Sequence, residues 1–105
     1  MLYTLTSSMS SSTNFQDTLL KDLEKIVTLL KNKGYQCNNI KPVDHWLTPI
    51  EYYISNPTDD TEELWRDLCN LFGVAAACNF SGSITDDTFN LFETYIYDLK
   101  SKIGD

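Results

Sequence analysis

The sequence predicts an all-α fold: a compact single-domain helical bundle of three longer helices and one short helix. Apolar residues recur at three- and four-residue intervals over three stretches. Capping residues, glycine and proline punctuate the gaps between those stretches. The one weakly alternating run, Met1 to Leu5, has no clear partner strand later in the chain. With 105 residues, 42% of them hydrophobic and 12% aromatic, the chain is long and apolar enough to bury one core.

Each element follows from local chemistry. Residues 4–13 hold eight serines and threonines and little that can pack, so residues 1–13 are expected to be a flexible Ser/Thr-rich arm before a helical domain over 14–105. Phe15, Leu19, Leu20, Leu23, Ile26, Val27 and Leu30 form one face, which predicts a helix from about Phe15 to Lys33. Asn14 or Thr13 caps its start, and Gly34 is the expected left-handed residue after its end. Residues 35–47 are expected to be a loop. Thr48-Pro49-Ile50-Glu51 reads as a capping box with proline at the first helical position, opening the short helix that ends near Ser55. Asp60 caps the third helix, whose buried stripe is Leu64, Leu68, Leu71, Phe72 and Ala75. Gly73 weakens that helix by roughly 1 kcal/mol relative to alanine, and close packing against another helix is the expected reason for it. Ser81-Gly82-Ser83 is a turn. Thr85 caps the fourth helix, with Phe89, Phe92, Ile96, Leu99 and Ile103 as its stripe and Lys100 and Lys102 in its last turn.

Charge is unevenly placed. Residues 42–99 hold eleven carboxylates against one base, Arg66, within a formal net charge of −7. Such a surface attracts basic partners and repels nucleic acid and anionic membranes, so no direct nucleic-acid or membrane binding is expected. Five of those acids, Asp60, Glu62, Glu63, Asp86 and Asp87, sit in helix first turns, where the dipole alone accounts for them. Capping does not account for Asp44, Glu51, Asp59, Asp67, Glu93 and Asp98.

Catalytic parts are sparse. His45 is the only histidine, with Asp44 beside it, and adjacent residues rarely point at one atom. Three dispersed cysteines make neither a zinc spacing nor a disulfide framework. The chain has no phosphate-binding loop or dinucleotide fingerprint, and no cofactor or metal is expected. It has no secretory signal and no apolar run near the ~20 residues of a membrane span, so a cytoplasmic location is expected.

The candidate partner-binding residues are the acids Asp59, Glu62, Glu63, Asp67, Glu93 and Asp98 with the aromatics Tyr52, Tyr53, Tyr95, Tyr97 and Trp46. Residues two apart on a helix diverge by about 200°, so Tyr95 and Tyr97 cannot both lie on the core stripe. Exposed tyrosine and tryptophan among carboxylates have the makings of a binding hot spot. The competing reading has Trp46 as a lid on the core and the tyrosines as amphipathic surface residues.

Asp59 to Asp67 and Asp86 to Asp98, with Tyr52, Tyr53, Tyr95 and Tyr97, resemble in type the small acidic immunity proteins that neutralise bacterial nuclease toxins of the colicin and contact-dependent growth inhibition kinds. The resemblance covers about half the chain. Asp86-Asp87-Thr88-Phe89-Asn90-Leu91-Phe92 is similar to a stretch of an enterobacterial antitoxin that opposes a nucleoid-associated protein. The resemblance implies a stoichiometric protein inhibitor, not an enzyme, whose expected partner is a basic protein, a cognate nuclease toxin domain. The alternative is a structural or regulatory helical adaptor acting through self-association or protein binding.

Overall fold

The computed structural model describes the backbone of residues 3–103 and the side chains of residues 16–102. The fold is all-α: α1 (Tyr3–Leu30), α2 (Val43–Ser55), α3 (Thr61–Phe80) and α4 (Asp86–Ile103), with no strand among the described residues. Three helices are long and one is short, as the apolar spacing predicts.

The helices pack as a ring. α1 packs on α2, α2 on α3, α3 on α4 and α4 back on α1, with the diagonal pairs held apart by the core. Side-chain pairs fix the directions. Asp44, near the start of α2, accepts from the Asn32 N–H just past the end of α1, and Glu51, further along α2, pairs with Lys31. Lys25 lies over the Tyr95 ring while Asp22, a turn earlier, bonds Lys102. Phe72 touches Phe89 and Phe92. Neighbours in the ring therefore run antiparallel, an up-down-up-down bundle. Leu19, Leu23, Ile26 and Leu30 of α1 meet Val43, Leu47 and Ile50, then Leu64, Leu68, Leu71 and Ala75, then Phe92, Ile96 and Leu99 in one core. Among the described residues no buried side-chain nitrogen or oxygen lacks a hydrogen-bond partner.

Four local expectations differ from the structure. α1 starts at Tyr3, well before Phe15, so the boundary drawn at residue 13 falls inside a continuous helix. Serine and threonine add to an existing helix at a cost of only a few tenths of a kcal/mol each. The arm's side chains lie outside the described residues. At its other end α1 stops at Leu30, and Asn32 (φ 62°) takes the left-handed position expected of Gly34, which is itself left-handed at φ 74°. Asparagine tolerates that conformation better than other side chains.

α2 starts at Val43, not Thr48, and Pro49 lies inside it. Val43, Leu47, Ile50 and Tyr53 bury one face across the proline, and that packing outweighs the capping signal. Thr48 is a mid-helix residue whose Oγ1 donates back to the Asp44 carbonyl at 3.4 Å. The expected 35–47 loop thus shortens to the segment before Val43. Gly73 does not pack closely: it is exposed, and a Cβ there meets nothing within 4 Å.

Candidate partner-binding surface

The antiparallel ring brings the C-terminal ends of α2 and α4 and the N-terminal end of α3 to one end of the bundle. Asp59, Asp60, Glu62, Glu63 and Asp98 are exposed there, with Asp67 half-buried a turn further along α3. Local chemistry places them. The Asp60 side chain accepts the Glu63 N–H at 3.2 Å, closing the first turn of α3 and leaving the Glu62 and Glu63 side chains to solvent. Partial burial raises the Asp67 carboxyl above its ordinary value. Glu63 pushes the same way and Arg66 opposes.

Cations are used elsewhere. Asp22, the one buried charged residue described, binds Lys102 and has Lys25 at 3.8 Å. Lys31 reaches Glu51 at 2.8 Å, and that hydrogen bond holds its ammonium above the usual lysine value. Among the described residues, the carboxylates of α3, α4 and the α2–α3 loop make one ion pair, Glu62 to Arg66 at 3.7 Å. Lys100, in the last turn of α4, is also at this end beside Tyr97, and the acidic end still keeps a net negative field.

The aromatic candidates part ways. Tyr52 faces outward on α2 and is 69% exposed. Tyr97 is 59% exposed on the α3 side of α4. Tyr53 is buried, and its hydroxyl donates to the Thr58 carbonyl at 2.6 Å, so it holds the α2–α3 loop and offers a partner nothing. Burial raises its phenol above the ordinary value. Tyr95 is half-buried on the α1 side with Lys25 over its ring at 5.8 Å. Trp46 stands half-buried at the far end of the bundle. Its Nε1–H donates to the Lys41 carbonyl at 3.3 Å, and its ring meets His45 edge-on. Glu93 lies mid-way along α4, half-buried. One end thus gathers Asp59, Glu62, Glu63, Asp67, Asp98, Tyr52 and Tyr97, and leaves out Trp46, Tyr95 and Glu93.

One feature escapes the sequence reading. A groove of about 190 Å³ opens between α3 and α4, lined by Trp65, Leu68, Cys69 and Phe72 on one side and Ile96, Tyr97 and Lys100 on the other. Phe72, Phe89 and Phe92 stack beneath it at centroid distances of 5.6 to 6.1 Å. The signal was present. Trp65, Cys69, Phe72 and Ala76 repeat at four- and three-residue steps beside the Leu64 stripe, an apolar arc wider than one core contact requires.

At the other end, the Asp44 carboxylate accepts from the Asn32 N–H, and no hydrogen bond joins it to His45. No group of three or more histidine, cysteine or acidic side chains suited to a metal occurs among the described residues. No helix of the described residues is long and apolar enough to cross a membrane. No protein-family model, curated protein or solved structure matches the chain.

Proposed function

We propose that this protein is a stoichiometric inhibitor that binds and neutralises a basic protein in the cytoplasm, a nuclease toxin domain being the partner class that best fits the charge. The observation that carries the reading is the acidic end of the bundle, where Asp59, Glu62, Glu63, Asp67 and Asp98 gather and only Glu62 is ion-paired, to Arg66. A cationic cleft evolved to hold phosphates presents the opposite field. Attraction between the two speeds encounter, and exposed Tyr52 and Tyr97 give the contact apolar anchors that slow release. Occupying the cleft excludes its nucleic-acid substrate.

The experiment is capture from the native host's lysate at low salt, with the wild type beside a Glu62→Ala, Glu63→Ala, Asp67→Ala triple variant. A basic protein retained one to one, released by salt and lost from the variant supports the reading. Equal retention by both proteins removes the acidic end from the mechanism. The adaptor alternative gains ground if retention ignores salt.

A further inference from the structure

The outer face of α3 is built unlike the rest of the surface. From Leu68 to Thr85 the chain carries eighteen residues without a charge, although one side of α3 faces water along this stretch. Cys69 and Gly73 are exposed on that side, and Phe80, at its end, is 94% exposed, the most exposed large apolar residue described. At 100° per residue, Arg66, Cys69, Gly73, Ala76 and Phe80 fall within about one quarter of the helix circumference, opposite the Leu64–Leu68–Leu71 stripe. Their four- and three-residue steps are those of a seam between two helices.

We propose that this face is the interface of a homodimer in which α3 of two copies pack antiparallel. Three observations select a second copy of this chain. First, the seam is self-complementary. A two-fold axis midway between Gly73 and Ala76 sets Cys69 opposite Phe80 of the second copy and Gly73 opposite its Ala76. Each exposed Phe80 then meets the other copy's groove at Trp65 and Cys69, so the most exposed ring and the α3–α4 groove cover one another.

Second, charge fits. Arg66 sits one turn before Cys69 and so reaches the C-terminal end of the second α3. That end has no basic residue in its last turn, and Asn79 beside it holds the Asp86 carboxylate at 2.9 Å. Arg66, which also pairs with Glu62 on the same face at 3.7 Å, thus places the lone cation of the acidic segment at a negative helix end. Third, a chain of net charge −7 repels its own copies wherever its carboxylates meet, and the Leu68–Thr85 stretch is a long surface segment free of that repulsion. Gly73, with open space around it, lets the two helix axes approach closely. The interface runs along α3's outer face and borders the acidic end at Arg66 and the groove, and it does not depend on the function proposed above.

Sedimentation of the full chain from micromolar to millimolar concentration tests this. The expected result is a reversible monomer–dimer equilibrium that persists at high salt. Phe80→Asp, on an exposed side chain that leaves helicity unchanged by circular dichroism, raises the dissociation constant about 30-fold or more, as loss of a central anchor does. Tyr52→Asp, at another exposed aromatic, leaves it unchanged. In the wild type, alkylation of exposed Cys69 slows as concentration rises through the transition. A monomer at every concentration overturns the proposal. So does a dimer equally stable with Phe80→Asp, or a Cys69 rate independent of concentration.

Discussion

Asp22 is the one charged side chain among the described residues that is buried. It is 7% exposed, and its carboxylate is bound to Lys102 across the α1–α4 contact, with Lys25 as a more distant second cation. Removing Lys102 leaves a buried charge whose nearest base is mostly in water. Lys102→Met is expected to cost about 1–3 kcal/mol in urea unfolding, more than a surface lysine usually does. Asp67 works in the opposite sense. Its raised carboxyl means that the folded state holds the proton more tightly than the unfolded chain. The stabilisation it gives is therefore complete below the ordinary value of 3.8 and is lost as pH rises through the raised one. Asp67→Asn is expected to melt at a higher temperature than the wild type at neutral pH. That gap should close as pH falls through the same window, which melting curves across the acid range will read.

At the scale of elements, Pro49 and Gly73 are the residues that work against their helices. Pro49 has no N–H for the His45 carbonyl, yet α2 continues through it because Val43, Leu47, Ile50 and Tyr53 need a common face. Pro49→Ala restores a donor and is expected to stabilise the fold by about 1–2 kcal/mol, measured by chemical denaturation. Gly73→Ala places a methyl group in open space and is expected to add about 0.5–1 kcal/mol at concentrations where the chain is monomeric. These two positions also mark where sequence reasoning met its limit. Thr48-Pro49-Ile50-Glu51 has every local sign of a helix start, and only the tertiary demand of Val43 and Leu47 moves that start back. The caps at Asp60 and Thr85 were legible because the hydrogen bonds to Glu63 and Thr88 lie within one turn of each. Tyr53 and Tyr52 are indistinguishable in sequence, and one is buried while the other is exposed because the ring places α3 beside only one side of α2. The α3–α4 groove was half visible, since one of its walls is a stripe on α3 and the other requires knowing which helix lies next to it.

At the scale of the whole molecule, the architecture separates its tasks by position. Lys25 of α1 and Lys31 just past its end are spent on structure, Lys31 with Glu51 and Lys25 with Asp22 and Tyr95. The carboxylates of α3 and its flanking loop are left to face solvent. Salt should therefore act on the two sets differently. Added salt screens repulsion at the acidic end while barely touching the buried Asp22 contact. The expected outcome is a chain whose urea midpoint rises modestly from low to moderate ionic strength, with the rise much reduced in the Glu62→Ala, Glu63→Ala, Asp67→Ala variant.

The ring of helices has a kinetic corollary. Three of its four packed pairs join helices consecutive in the chain, and only α4 against α1 closes the circle. Contacts so local carry little loop-closure entropy, which places folding in the microsecond-to-millisecond range. The closing pair is the exception: Asp22 and Lys102 lie eighty positions apart in the chain. During synthesis α1, α2 and α3 can assemble as they emerge, but the Leu19–Leu23–Ile26 face of α1 stays half-covered until Lys102 has cleared the ribosome. That interval, rather than the folding reaction itself, is when this chain's apolar surface is open to misassembly.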